Sequence, residues 1–298
     1  MKVTRKDEYL IITIEQKQAN QTVREFLQHY HLSRKKIHEL YMNKRVKLNK
    51  EIANFNAVLQ IGDKLAIPVF EKEVIDFKPQ KMKLDIIYED DHLLIINKPA
   101  GLMVHPDQKE GMNTLVNGVA YYYQEHQIHH RIRYIHRLDT DTSGGIIFAK
   151  HYLAHSLMDH WLAEKKIKRW YLGLVNGRLS TKKGKIHAPI GKDRHHSARR
   201  RVAKNGDTAL TYYQLKQQFK TYALVELELK TGRTHQIRVH MSHLGHPLLG
   251  DHLYGGPAKV GPLRRQALHS SRIEMIHPIT EAPLKFEVPL PLDMKKLI

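Results

Sequence analysis

The short apolar runs that follow Leu84 constrain the fold more than any other feature of the sequence. Residues 86–88, 93–96, 146–148 and 170–175 have the composition of strands, and residues 223–229 alternate apolar and acidic side chains as a half-buried strand does. In this part of the sequence, residues 151–165 show helical spacing, and helices are few. Because strands dominate and do not alternate regularly with helices, the sequence predicts an α+β domain with a large, mostly antiparallel mixed β-sheet flanked by helices.

A smaller α/β unit precedes that sheet. Val23, Leu27 and Tyr30 recur at helical spacing, Ser33 is a helix N-cap, and short strand-like pieces with turns follow. The predicted divisions are a small domain at 15–70, a linker at 71–83 that is charged and weakly periodic, and a larger domain at 84–298.

The second predicted helix carries Arg34 and Lys35 in its first turn, where the helix dipole disfavours cations. This conflict has two interpretations. Either the two side chains bind phosphate beside the free helix amides, or they form an ordinary solvated basic face.

The charge of the whole chain favours a polyanionic partner. Lys and Arg number 49 and Asp and Glu number 30, which gives a net charge of +19. Nucleic acid is the commonest partner of such a protein, and charge for solubility alone is the alternative. Residues 180–206 are the most basic stretch, either a flexible solvated loop or a loop that orders on RNA.

Several site classes are excluded or disfavoured. The chain has no Cys, so disulfides, thiolate metal sites and a cysteine nucleophile are excluded. This composition fits a reducing cytoplasm, where we expect the protein. The sequence has no apolar run of signal-peptide or membrane-spanning type, and no phosphate-binding glycine motif. We therefore expect no membrane partner and no cofactor.

Residues 136–145, HRLDTDTSGG, form the most unusual segment, since carboxylates, hydroxyls and glycines lie between strand-like runs. Asp139 or Asp141 is either a catalyst held at the rim of the core or a turn residue that caps main-chain amides. Residue chemistry alone favours the turn.

Residues 232–240 contain a possible helix capped by Thr234, with Ile237, Met241 and Leu244 facing the core. Arg238 lies at the edge of this apolar face and should have an anionic partner. His235, His240 and His243 lack a matching set of acidic ligands, so no metal site is predicted.

These segments resemble a known family. HRLDTDTSGG is similar to the HRLDxxTSG signature of the RluA-type pseudouridine synthases, including the RluD-like enzymes, and residues 84–106, 169–177 and 231–255 resemble further family motifs in the same order. The resemblance implies that Asp139 is the catalytic carboxylate, that Tyr171 stacks on the target base and that Arg238 pairs with Asp139. It also suggests that Arg137 and Arg233 contact RNA. Thr140 and Arg169 depart from the usual residues.

Residues 32–49, LSRKKIHELYMNKRVKLN, resemble the small S-four-type RNA-binding domain that precedes the catalytic domain in many RluD-like enzymes. This resemblance favours RNA contact by Arg34, Lys35 and Arg45. The implied substrate is ribosomal RNA, with transfer RNA as the alternative, and a monomer is expected. Two other hypotheses remain, a non-catalytic RNA-binding factor and a glycosidase that uses Asp139 with Asp141.

Overall fold

The computed structural model describes residues 2–108, 111–258 and 260–298. Its N-terminal part is a five-stranded antiparallel sheet of order β1-β2-β5-β3-β4 with two helices. These elements are β1 (Lys2–Lys6), β2 (Tyr9–Thr13), α1 (Val23–His29), α2 (Arg34–Met42), β3 (Lys47–Leu48), β4 (Glu51–Ile52) and β5 (Lys64–Ile67). Ser33 caps α2 as predicted, since its side chain accepts a hydrogen bond from the amide of Lys36.

The small sheet also contains β1 and β2, which lie outside the predicted range of 15–70. β2 pairs with β5 and buries Leu10 and Ile12 in the core of this unit. The sequence YLIIT alternates too briefly to be distinguished from a linker by pattern alone.

The larger part is built on a ten-stranded mixed sheet, so the predicted α+β fold class is confirmed. The sheet order is β11-β14-β15-β10-β16-β9-β7-β6, with β17 beside β16 and β8 beside β9. Its strands are β6 (Ile86–Glu89), β7 (Leu93–Lys98), β8 (Arg133–Tyr134), β9 (Ser143–Ala149), β10 (Lys168–Asn176), β11 (Lys183–His187), β14 (Leu210–Gln218), β15 (Tyr222–Leu229), β16 (Leu268–Ile276) and β17 (Pro283–Glu287). A separate hairpin consists of β12 (Ile190–Lys192) and β13 (Arg200–Val202), and the helices are α3 (Leu115–Glu125), α4 (Tyr152–Ala163), α5 (Gln236–His243) and α6 (Leu292–Lys295).

The start of β9 fixes the position of the HRLDTDT loop. β9 pairs in parallel with β16, with Ser143 opposite His269 and Gly144 opposite Ser270. Gly144 has φ of 114°, and a Cβ there would lie 2.3 Å from the carbonyl oxygen of Ser270. Only glycine allows this close approach of two backbones. The loop that precedes β9 is therefore attached to the centre of the sheet.

The small unit packs against the large one. Leu153 and Leu157 of α4, together with Ile279, are buried in the same apolar cluster as the core of the small unit. The Ser156 hydroxyl donates to the carbonyl of His31 at 2.6 Å, and Lys17 pairs with Glu281 at 2.8 Å. Apolar burial and these polar contacts together hold the two units against each other.

The segment predicted as a linker, residues 71–83, contains no helix or strand, but it is attached to the larger unit. Ile75 and Phe77 pack against the main core, and Glu73 forms an ion pair with Arg133 at 2.5 Å. The amide of Gln80 donates to the carbonyl of Asn117 at 3.0 Å. These contacts attach the segment to the larger unit.

This packing predicts different behaviour for two truncated chains. A fragment of residues 71–298 should fold, whereas a fragment of residues 84–298 should have a lower thermal midpoint because it loses the contacts of Ile75 and Phe77, worth ~1–2 kcal/mol each for half-buried apolar side chains. Thermal unfolding monitored by circular dichroism compares the midpoints of the two fragments. Equal midpoints would show that residues 71–83 contribute nothing to the larger unit.

Buried histidines predict a second property, sensitivity to acid. Three buried histidines, His92, His130 and His269, each have a pKa of about 4, and burial is the largest cause of this lowering. Below the ordinary histidine pKa of about 6.5 the unfolded chain binds protons that the folded chain does not, so stability falls as the pH drops from about 6.5 towards 4. Each such histidine lowers the free energy of unfolding by up to about 1.4 kcal/mol for every pH unit in this range.

We therefore expect a thermal midpoint at pH 5.0 that is roughly 10 °C or more below the value at pH 7.5. Differential scanning calorimetry across this pH range measures it. His195→Asn, at an exposed position in the tip of the β12–β13 hairpin, is the matched control and should not change the pH dependence. A midpoint that stays constant down to pH 5.0 would contradict the neutral state of the buried histidines.

Candidate functional site

A cleft of about 1300 Å³ crosses the larger unit where the HRLDTDT loop faces β10 and the start of α5. Residues of four segments form most of its lining, 103–107, 134–142, 159–171 and 229–238. The cleft is large enough for a nucleotide and part of its neighbours. Asp139, Tyr171 and Arg238, the three residues assigned by resemblance, all line it.

The loop that carries Asp139 is anchored from below by Lys98, which is fully buried. Its Nζ donates to the carbonyls of Pro99, Leu102 and Thr140 at 2.9, 2.6 and 2.8 Å. Burial lowers the pKa of Lys98 to about 7, but three carbonyl acceptors require three N–H donors, which only the ammonium form has. We therefore assign the charged form, which ties Thr140 next to the candidate acid.

Asp139 faces Arg238 across the floor of the cleft. One guanidinium nitrogen of Arg238 donates to Oδ2 of Asp139 at 3.1 Å. The side chain of Asp139 is 26% exposed and that of Arg238 only 9%, so the acid is open to the cleft while the cation lies beneath it. A fixed guanidinium restricts the orientation of the carboxylate.

Arg238 is held from its other side by Asp251, which the sequence analysis did not single out. Nε of Arg238 donates to Oδ2 of Asp251 at 2.8 Å and Nη2 donates to Oδ1 at 2.9 Å. Burial would lower the pKa of Arg238, but the hydrogen bonds and charge of Asp251, and then those of Asp139, raise it above its ordinary value. Asp251 itself is 1% exposed. This two-bond pair directs the remaining nitrogen of Arg238 at Asp139.

His235 and Tyr254 complete the surroundings of Asp139. Nε2 of His235 lies 3.8 Å from Oδ2 of Asp139, and Nδ1 lies 2.8 Å from the hydroxyl of Tyr254. The amide of Arg200 donates to the same hydroxyl at 2.9 Å, which leaves its proton free for Nδ1. This network places the histidine proton on Nε2, directed towards Asp139.

The start of α5 differs from the prediction. The N-cap is His235 rather than Thr234, with φ of 58° and no side-chain cap. Leu244 is 38% exposed and does not face the core. The left-handed backbone at His235 turns its ring into the cleft. An N-cap is usually a short polar residue, but here it is a histidine whose side chain faces the site.

Tyr171 lies on the cleft side of β10 and is 4% exposed. Burial raises the pKa of its hydroxyl, so the neutral phenol is retained at physiological pH. The ring forms part of the main core, which fixes its plane. A rigid aromatic ring in the wall of a cleft can stack on a base that has left its helix.

The predicted RNA-contact residues have three different environments. Arg137 and Arg233 line the cleft, where Arg137 contacts the His105 ring at 2.8 Å. Arg34 and Lys35 are exposed at the start of α2. Arg45 is also exposed but pairs with Glu8 at 2.9 Å and with Glu71 at 2.7 Å, so acids of the chain already occupy its guanidinium.

Residues 2–108, 111–258 and 260–298 contain no group of three or more acidic or histidine side chains that could hold a metal ion. His240, one of the histidines considered above, instead contacts Thr211 and the carbonyl of Ala188, both at 2.9 Å. No helix of these residues has the length and apolar character to cross a membrane.

Comparisons with known proteins match both units of the chain. Residues 92–243 match the family described as RNA pseudouridylate synthase, and residues 10–65 match the RluD ribosomal pseudouridine synthase N-terminal domain. The chain is 47% identical over 263 residues to the uncharacterized RNA pseudouridine synthase YhcT of Bacillus subtilis, which covers 88% of this chain and 86% of that protein. It is 38% identical to the ribosomal large subunit pseudouridine synthase D of Haemophilus ducreyi, over 89% of this chain and 86% of that one.

A solved structure with the same fold is human RNA pseudouridylate synthase domain containing 1. It superposes with a TM-score of 0.59 at 25% identity and covers 72% of this chain and 87% of that one. The motif resemblance of residues 84–298 and of the N-terminal unit is therefore confirmed at the level of the family. The chain belongs to the RNA pseudouridine synthase family.

Proposed function

We propose that this protein converts uridine in structured RNA into pseudouridine, with Asp139 as the catalytic carboxylate. The observation that carries the proposal is the Asp139–Arg238 pair, in which a partly exposed acid is held by a buried cation on the floor of a cleft wide enough for a nucleotide. No nucleotide cofactor is required, because the reaction is an isomerisation without net gain or loss of atoms.

The chemistry requires four events in one site. The target uridine leaves its stack, as bases do in other enzymes that modify them, and its ring lies on Tyr171. Asp139 acts on the ribose, either as nucleophile at C1′ or as base at C2′, while the bond from N1 to C1′ breaks. The uracil turns and C5 bonds to C1′; this step displaces the Asp139 carboxylate from C1′ in the nucleophilic route, or occurs with return of the proton from Asp139 to C2′ in the base route. The proton of C5 then leaves while N1 gains one.

Ribosomal RNA is the proposed substrate class, since the matching N-terminal domain and several relatives are described as ribosomal pseudouridine synthases. We assign the N-terminal unit to the S-four type, with Arg34 and Lys35 as its RNA contacts and Arg137 and Arg233 as contacts in the cleft. Because Arg45 is paired with Glu8 and Glu71, we give it no primary role. Action on ribosomal RNA places the protein in the cytoplasm, and we propose that it acts as a monomer.

The test uses large-subunit ribosomal RNA transcribed with uridine tritiated at C5. The wild-type protein should release tritium to water, because formation of the C5–C1′ bond expels that hydrogen. Transfer RNA transcripts labelled in the same way are assayed in parallel as the alternative substrate. RNA binding without tritium release would support a non-catalytic factor, and release of free uracil would support a glycosidase.

The glycosidase alternative depends on Asp141 as a second carboxylate. The Asp141 side chain is exposed at the cleft, and its main-chain carbonyl accepts a hydrogen bond from Arg265 at 2.9 Å. Asp141 has no ion pair with Arg238, whose charge is divided between Asp139 and Asp251. The geometry thus supports one reactive acid and not a pair.

A further inference from the structure

Arg169 is a buried cation with no anionic partner in the part of the chain that the structure describes. Only 7% of the residue is exposed, yet its Nε has no hydrogen-bond partner, and its side chain has no ion pair in residues 2–108, 111–258 and 260–298. An unpaired guanidinium that is nine-tenths buried costs several kcal/mol relative to solution. A protein retains such a group where a ligand supplies the missing charge.

His136 lies beside Arg169 and is also unsatisfied. It is 6% exposed, and neither ring nitrogen has a hydrogen-bond partner in the described part of the chain. Burial and then the charge of Arg169 lower the pKa of His136 to about 3, against a smaller opposing effect of the Arg137 main chain. The ring is therefore neutral and offers one donor and one acceptor.

Both residues line the same cleft as Asp139. Arg169 lies two positions before Tyr171 on β10, and His136 lies three positions before Asp139. The guanidinium lies under the 231–235 loop, since a Cβ at Gly232 would be 3.5 Å from one of its nitrogens. Two unsatisfied groups thus point to a ligand atom next to the candidate acid and the stacking ring.

We propose that Arg169 and His136 form a subsite for a phosphodiester group of the RNA that flanks the target nucleotide. This assignment rests on the proposed function for the identity of the ligand. A guanidinium binds phosphate through two parallel hydrogen bonds, and the neutral imidazole donates a third. The uracil ring is a weaker candidate, because it is uncharged until its bond to the sugar breaks, whereas phosphate is a permanent anion that matches a permanent cation.

The experiment maps which phosphates of the RNA must be charged. A large-subunit ribosomal RNA transcript is lightly ethylated at its phosphates, which removes one negative charge at each modified site. The RNA is mixed with Asp139→Asn protein, which permits binding without turnover. The extent of ethylation at each phosphate is then compared between the bound and the unbound RNA. Wild-type protein is assayed separately for tritium release. The release assay tests the proposed function, and the ethylation pattern tests the phosphate subsite, so failure of one can be distinguished from failure of the other.

Ethylation of a phosphate that flanks the bound uridine should exclude RNA from Asp139→Asn protein. Adding Arg169→Met should abolish this effect at that phosphate alone and weaken the affinity roughly 10- to 100-fold, which corresponds to one charged hydrogen-bonded contact. Arg169→Lys should retain much of the contact. Lys168→Met is the matched control, since Lys168 is an exposed cation on the same strand outside the cleft, and it should leave that flanking site unchanged.

Thermal unfolding gives an independent readout. Because Arg169 has no ion pair among the described residues of the free protein, Arg169→Met should raise the thermal midpoint by about 2–4 °C, whereas loss of a structural contact would lower it. An ethylation pattern that is identical with and without Arg169 would overturn the subsite. Loss of tritium release with an unchanged pattern would also overturn it, because Arg169 would then act on the base.

Discussion

Asp139→Asn should abolish tritium release from C5-labelled RNA while the protein stays folded and still binds RNA. The carboxamide has the shape of the carboxylate but can act neither as nucleophile nor as base. General acid–base catalysis alone contributes about 10²–10⁴-fold to a rate, and loss of a nucleophile costs more, so we expect activity at least about 10³-fold below wild type. Initial rates of tritium release and a filter-binding assay on the same RNA measure the two properties.

Asp141→Asn is the matched control for this substitution. Asp141 lies in the same loop, two residues away, and its exposed side chain has no contact with Arg238. The variant should retain activity within about threefold of wild type, as exposed substitutions usually do. Comparable losses in both variants would favour a pair of acids over a single one. Full activity of Asp139→Asn would end the mechanism proposed for this cleft.

The sequence predicts the fold well where a side-chain pattern has only one structural solution. The alternating run at 223–229 is strand β15, and the helical spacing after His151 is α4. The segment at 71–83 was predicted as a linker, and the packing of Ile75 and Phe77 against the main core could not be predicted from its charged sequence. Two apolar positions in a charged stretch give no periodicity, and only the complementary surface shows that they are buried.

The candidate site could be predicted only through resemblance. Local chemistry favoured a turn for HRLDTDTSGG, and the turn exists, since the amide of Thr142 donates to the carbonyl of Asp139 at 3.0 Å. The main chain of Asp139 forms the turn while its side chain faces Arg238. Asp251 was missed because it lies 13 residues beyond Arg238 in a loop. A contact between such positions leaves no periodic pattern in the sequence. The one available signal was that a buried arginine requires an acidic partner.

Asp251→Ala should strongly lower the stability of the protein, because Asp251 holds Arg238 from beneath the cleft. It leaves the buried guanidinium of Arg238 with one acid, Asp139, whose carboxylate is partly exposed. Removing one partner of a buried ion pair costs about 3–5 kcal/mol, so we expect the thermal midpoint to fall by roughly 10 °C. Tritium release should also fall steeply, because Arg238 is no longer directed at Asp139. Thermal unfolding and initial rates measure the two effects.

The double variant Asp251→Leu, Arg238→Met separates stability from activity. Apolar side chains that replace a buried ion pair often restore or exceed the original stability, because neither charge has to be desolvated. We therefore expect a thermal midpoint near wild type and tritium release at least about 10²-fold below it, since Asp139 then lacks its cation. A double variant as active as wild type would show that the pair serves only folding. An Asp251→Ala protein with an unchanged midpoint would show that Arg238 does not depend on Asp251, and the orientation of Asp139 would then need another cause.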